Sequence, residues 1–178
     1  DAMGSPVPSS RFMGGREIEM LAGIDARRVD LVLDQPLLSG AVPQALAEGS
    51  CVLPTFAPGC GPFPHARGRW VHMPASDAPR RAMACVYAAL VADVSLEMIG
   101  ASGQLVVEGR FAQAQVFVRA LATLRPDMAV HVADAANDAS CGALRLLAPD
   151  LAPIGSLSRV EGLDIDLQDL RHHWRAQA

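Results

Sequence analysis

The sequence predicts an α/β domain, and three observations carry that expectation. Between residues 77 and 149 apolar residues recur at helical spacing, then as short continuous runs, giving helix, strand, helix, strand, helix. Glycine or proline stands at the changes from one pattern to the next, as at Gly100, Gly109, Pro126 and Pro149. Hydrophobic residues make up 51% and charged residues 19% of 178, enough apolar surface for a real core and too little charge for a disordered chain. Two strands joined through a helix in this order run parallel.

In chain order, the stretch before residue 77 is broken by glycine and proline. "MGGREIEMLAG" predicts a short helix, with Ile18 and Leu21 on one side and Gly23 closing it. "VDLVLDQ" and "CVLPTF" read as strands. "APGCGPFPHARGRW", residues 57–70, is a long loop, and ordered loops of that length tend to serve function. Asp77 and Pro79 suit a first helical turn, after which Met83, Val86, Leu90, Val94 and Met98 predict a long amphipathic helix ending at Gly100. "QLVVEG" has the few polar groups of a buried strand. Phe117, Ala120, Leu121 and Leu124 give the next helix an apolar face, stopped by Pro126. "MAVHVAD" is a further strand, and Asn137 or Asp138 can cap a helix carrying Leu144 and Leu147. Leu167, Leu170 and Trp174 place a docked helix at the end of the chain.

Composition excludes several functions. The formal net charge of −4 sets up no attraction for nucleic acid or anionic lipid. All 15 basic residues are arginine, so Schiff-base lysines and Walker-type phosphate lysines are ruled out. No apolar run is long enough to cross a bilayer, and "DAMGSPVPSS" has neither the basic nor the apolar region of a signal peptide. The 4 cysteines, Cys51, Cys60, Cys85 and Cys141, lack metal-ligand spacing and read as free thiols of a reducing cytoplasm.

Three turns could serve a ligand. In "LVVEGRFAQAQVF" a strand ends at Gly109 and a helix opens at Arg110 and Phe111, the arrangement that offers backbone N–H groups to an anion. In "DAANDASCGALRLL" small residues, Ala139, Ser140, Gly142 and Ala143, open the next helix and permit close approach of a flat ring. In "FMGGREIE" Gly14 and Gly15 precede a helix bearing Glu17 and Glu19. Each is equally an ordinary connection between packed elements. Two on neighbouring strands gain meaning together, because open α/β sheets bind ligands beyond the carboxyl ends of their strands. His172 and His173 read as solvated helix surface, and Trp70 and Trp174 as packing anchors.

In order, these pieces resemble the C-terminal domain of the FGGY carbohydrate kinases over about residues 5–150. "RFMGGREIEML" is similar to the family's short glycine-bearing helix near ATP. "VLPTFAPGCGPFPHARGRWVHMP" resembles its "lP.f.G...P..d..arG...G" segment, and "PRRAMACVYAALVADVSLEMI" the long helix that follows. "LVVEGRFAQAQVFVRALATL" resembles its adenosine motif, and "DAANDASCGALRLLA" its closing "E..alGAA.lA".

The resemblance implies a ribonuclease-H-like domain of the actin and hexokinase superfamily, a mixed sheet with flanking helices. Residues 1–178 would form one domain, the nucleotide-binding half of a two-domain sugar kinase, with about 151–178 a terminal extension. It implies ATP and Mg²⁺, with a sugar as the acceptor substrate. Gly14, Gly15, Glu19, Gly109, Arg110 and Phe111 would meet the nucleotide, and Asp138, Cys141 and Gly142 would line the adenine pocket. The N-terminal kinase domain of the same chain would hold the phosphates, the metal and the catalytic base, leaving the isolated chain inactive with no catalytic residue or metal ligand of its own. Neither nucleic acid nor membrane is an expected partner, and a homodimer is compatible with the pattern. The chain departs from the family where Arg110 replaces a glycine and Ala114 an Asn or Ser. These departures support a second reading, a catalytically degenerate kinase-like binding or regulatory module.

Overall fold

The structure, a computed structural model, describes residues 3–23, 31–134, 139–152 and 155–178. It is a mixed α/β fold organised around one long helix. The first helix, α1 (Gly14–Ala22), ends at left-handed Gly23, whose N–H donates to the Glu19 carbonyl, as the sequence predicts. Helix α2 (Leu31–Ala47) replaces the strand expected at "VDLVLDQ"; of that stretch residues 29 and 30 lie outside the described residues. The cause is tertiary. Gln35, Leu38, Val42 and Ala45 are buried at helical intervals, while Pro36 and Pro43 both lie on the solvent side.

Strands β1 (Cys51–Leu53) and β2 (Arg69–Val71) pair antiparallel, with Cys51 opposite Val71. The expected strand "CVLPTF" thus stops at Pro54, which has no N–H for a ladder. The loop between β1 and β2 is pinned at two points. Thr55 Oγ1 and the Phe56 N–H donate to the carboxylate of Glu17 at 3.0 and 3.1 Å, and Phe63 meets Trp174 edge-on at 5.4 Å.

Helix α3 (Asp77–Met98) departs furthest from the pattern its sequence suggests. The spacing implies one apolar face, yet every residue from Ala82 to Asp93 is buried. Ala82, Ala84, Ala88, Ala89 and Ala92 occupy the turns that would otherwise be polar, and such small side chains let neighbouring helices approach closely. Helices α1 and α2 pack on α3, as does α5 (Gln115–Leu124), which follows the one-turn α4 (Arg110–Gln113).

The second sheet has the order β3-β4-β5. Strands β3 (Gln104–Val107) and β4 (Ala129–Ala133) are parallel, as expected, and β5 (Leu157–Arg159), which the sequence does not signal, joins β4 antiparallel. Strand β3, buried on the sequence reading, instead alternates between exposed and half-buried residues, because among the described residues only β4 pairs with it. Helix α6 (Ala139–Leu147) follows β4, with Leu144 and Leu147 53% and 86% exposed; its expected caps, Asn137 and Asp138, lie outside the described residues.

The terminal helix α7 (Gln168–Gln177) docks as predicted. Leu167 and Trp174 are fully buried, and Trp174 Nε1–H donates to the Val52 carbonyl at 2.6 Å. His172 and His173 lie on its exposed side. Among the described residues no helix is long and apolar enough to cross a membrane.

Candidate functional site

The strand-to-helix turn at Gly109 depends on backbone shape. Gly109 has φ 68° and ψ −149°, a region that side-chain-bearing residues avoid, and a Cβ there would touch nothing within 4 Å. Glycine is required for its conformation, not for space. The chain leaves this turn with Arg110 as the first residue of α4, breaks at Ala114 and resumes as α5. At that second start the N–H of Val116 donates to Gln35 Oε1 at 3.2 Å, so a side chain of α2 satisfies an otherwise unpaired group of α5.

Gly14 brings the amino-terminal helix to the same place. A Cβ on Gly14 would stand 2.5 Å from the ring of Phe12 and 3.0 Å from that of Phe111, so the two rings close over a bare backbone. Phe111 in turn packs on Phe117 with ring centroids 4.7 Å apart. On the inner side of α1, Glu17 is only 1% exposed and accepts hydrogen bonds from Thr55, Phe56 and the Tyr87 hydroxyl. Burial and the Glu17 carboxylate push the Tyr87 phenol far above its ordinary range, which keeps the donor protonated.

With its inner side fixed, α1 turns Gly15, Ile18, Glu19 and Ala22 into a cleft completed by Leu38, Gln35, Arg81, Cys85, Arg110, Phe111 and Ala114. The walls are largely apolar. The cavity volume is about 90 Å³, well below the roughly 300–1,000 Å³ of complete small-molecule sites. It can hold part of a ligand, with the remainder projecting from the mouth. Two cations border it in different states. Arg81 is neutralised by Asp34 at 2.8 Å, whereas Arg110 is exposed and has no ion-pair partner among the described residues. Cys85 lies at the buried end, where desolvation pushes its thiol up to about 12, an unreactive group.

Of the residues singled out from sequence, Gly15, Glu19, Arg110 and Phe111 meet in this cleft. Gly14 and Gly109 act one step behind it, by admitting Phe111 and aiming Arg110. Gly142 is not brought there: it is exposed on α6, and a Cβ added to it would meet nothing within 4 Å. Asp138 and the side chain of Cys141 lie outside what the structure describes. Sequence reasoning missed Gln35, Leu38 and Arg81, because reading "VDLVLDQ" as a strand hid the helix that carries the first two and positions Asp34 against the third. It noted Glu17 without seeing that it faces inward; the i, i+4 relation to Leu21, also buried, was the available signal. Among the described residues no group of three or more His, Cys, Asp or Glu is arranged to hold a metal ion.

Known proteins bear on this geometry. The family model "Carbohydrate kinase FGGY, C-terminal domain" matches residues 1–153. The crystal structure of a carbohydrate kinase from Novosphingobium aromaticivorans superposes with a TM-score of 0.91 at 56% identity, over 99% of this chain and 38% of that one. The xylulose kinase from Rhodospirillum rubrum superposes with a TM-score of 0.62 at 16% identity, over 92% of this chain and 37% of its own, a likeness of fold alone. The chain therefore spans well under half the length of either relative. No curated protein sequence matches it.

Proposed function

Because the chain belongs to the FGGY carbohydrate kinases, as their C-terminal domain, we propose that it is the ATP-binding part of an enzyme phosphorylating a sugar hydroxyl. The observation that carries this reading is the convergence of Gly15, Glu19, Arg110 and Phe111, from segments some ninety residues apart, on one apolar cleft with an exposed cation at its mouth. An apolar slot beside such a guanidinium suits a ligand with a flat ring at one end and negative charge at the other.

ATP, when bound, would supply the phosphoryl group, with Mg²⁺ neutralising phosphate charge. In this chain Ile18, Leu38 and Phe111 would exclude water around the base. Glu19 would accept a hydrogen bond from a ribose hydroxyl, and Arg110 would donate to a phosphate oxygen. The sugar, the metal ion and the base that takes the hydroxyl proton fall to the remaining, N-terminal part of the protein. The two halves would share the ribonuclease-H-like fold of the actin and hexokinase superfamily, a reading supported here by parallel β3 and β4 joined through α5. A cytoplasmic location is consistent with the free thiols of Cys51, Cys60 and Cys85.

The test is calorimetric titration of ATP into the complete protein and into the 178-residue chain, with phosphorylation assayed against a panel of sugars. ATP should bind both, and only the complete protein should transfer phosphate. ATP-dependent phosphorylation by the 178-residue chain, lost on substitution of one of its own residues, would overturn the division of labour. One observation favours the degenerate module instead: Ala114 lines the cleft without a hydrogen-bonding side chain. ATP binding without turnover in the complete protein would select it.

A further inference from the structure

Glu17 is a buried titratable group that the proposed chemistry leaves unused. The groups that bond it are all neutral. Thr55 Oγ1 donates to Oε1 at 3.0 Å, while the Phe56 N–H, at 3.1 Å, and the Tyr87 hydroxyl donate to Oε2. Among the described residues no cation forms an ion pair with it. Burying a carboxylate costs more than burying an apolar side chain of similar size, even where hydrogen bonds satisfy it. A leucine or methionine would pack α1 against α3 at less cost, so stability alone does not account for this residue.

Directional bonds add orientation. Helix α1 has 9 residues, about two and a half turns. Successive residues stand about 100° apart around a helix, so Glu19 projects roughly opposite Glu17. Glu17 accordingly faces the interior, while Gly15, Ile18 and Glu19 line the cleft. Turning α1 by about 10° would move a side-chain tip ~6 Å from its axis by about 1 Å, enough to spoil a hydrogen bond to a ligand. Leu21 and Ala22 are buried on the inner side too, but apolar contact is non-directional and resists such a turn weakly.

The donors to Glu17 are themselves fixed. Tyr87 is 1% exposed, and its ring meets Phe56 edge-on with centroids 6.3 Å apart. Thr55 Oγ1 also accepts from the Ala57 N–H at 3.3 Å, which ties the hydroxyl to the backbone of the β1–β2 loop. One carboxylate thus references α1 to two other parts of the fold, the loop and α3.

We propose, on the reading of the cleft as a nucleotide site, that Glu17 is a positioning residue for that nucleotide. Held by Thr55, Phe56 and Tyr87, it sets the rotation of α1 and, through it, the place of Glu19 and Ile18 in the cleft. The test is calorimetric titration of ATP into the complete protein and its variants, well below their melting temperatures. Tyr87→Phe removes one donor and keeps the ring, and should weaken ATP binding by roughly three- to tenfold. Glu17→Leu should weaken it further, and Glu17→Gln, which keeps an acceptor for the loop, should recover most of that loss. In a Glu19→Gln background the loss from Tyr87→Phe should shrink, because both changes act on one contact.

A role in stability alone would lower the melting temperature and leave affinity at lower temperature unchanged. ATP binding by Tyr87→Phe and Glu17→Leu as tight as by the unchanged protein therefore overturns the proposal and leaves the nucleotide reading standing. So does a loss from Tyr87→Phe that is undiminished in the Glu19→Gln background. Should Glu17→Leu not fold, Tyr87→Phe decides. Absence of ATP binding by the unchanged protein overturns the nucleotide reading and Glu17's part in it together.

Discussion

Arg171 grips Asp93 with two nitrogens, Nε at 2.8 Å and Nη2 at 2.9 Å, across 78 residues of sequence. Asp93 is completely buried and also receives Arg175 at 2.7 Å and Arg125 at 3.4 Å. One carboxylate on α3 thus ties down α7 and the end of α5. Removing it crowds three guanidinium groups, of which Arg175 keeps Glu97 and Arg125 keeps Asp127 while Arg171 has no other ion-pair partner among the described residues, and breaking a buried pair in this way costs about 3–5 kcal/mol. Asp93→Ala should therefore lower stability by several kcal/mol in urea unfolding followed by tryptophan fluorescence. Arg171→Ala should cost less, roughly 1.5–3 kcal/mol, since two arginines remain. Negligible costs for both variants would show that α7 is held by Leu167 and Trp174 alone.

Alkali should weaken the fold through buried thiols. Burial pushes Cys51 up to about 11 and Cys85 up to about 12, from an ordinary 9.0. The unfolded chain therefore loses these protons first, so stability is intact below about pH 9 and declines as pH rises toward 11–12. Cys85→Ala should flatten that decline in unfolding measured from pH 8 to 11. In native protein iodoacetamide should modify Cys60 well before Cys85; simultaneous labelling would mean that α3 opens locally.

The sequence exposed what periodicity controls and hid what neighbours control. Helices α1, α3, α5 and α7, and the parallel β3–β4 pair, were legible because their apolar residues keep a regular interval. Helix α2 was not, since a local run of Val and Leu resembles a strand until burial against α3 is known. The depth of α3 and the pairing of β3 with β4 alone among the described residues are facts about order in space, which a linear pattern does not carry. At the site, glycines and the arginine that departs from the family pattern were readable as breaks in a motif. Gln35 and Arg81 look like ordinary polar residues, and only the helix beside them reveals their place.

Two glycines that look alike in sequence should respond oppositely to alanine. Gly109→Ala forces a side chain into a glycine-only conformation, at a cost of roughly 1–3 kcal/mol, and should misdirect Arg110. Gly142→Ala meets open space inside α6 and should stabilise the chain by about 0.4–1 kcal/mol. Thermal unfolding of both variants checks the signs. ATP titration of Gly142→Ala in the complete protein then asks whether α6 serves the nucleotide: weaker binding by a more stable variant would support a place for Gly142 in the adenine pocket.

Arg110 should contribute to ATP binding and not to sugar binding. It is exposed at the mouth of the cleft, has no ion-pair partner among the described residues, and starts a helix immediately after a glycine that fixes its direction. Arg81, the other cation there, is already committed to Asp34. A charge-assisted hydrogen bond from Arg110 to a phosphate is worth roughly 1.5–3 kcal/mol, or on the order of 10- to 150-fold in affinity. In the complete protein Arg110→Ala should raise the Michaelis constant for ATP by that order and leave the constant for the sugar nearly unchanged. The contact is to phosphate, so affinity for adenosine should not change. Arg110→Gly restores the residue common in the family and separates two roles for the side chain. Weaker ATP binding by the glycine variant supports a phosphate contact, whereas tighter binding marks the arginine as an obstruction and makes the non-catalytic module the better reading.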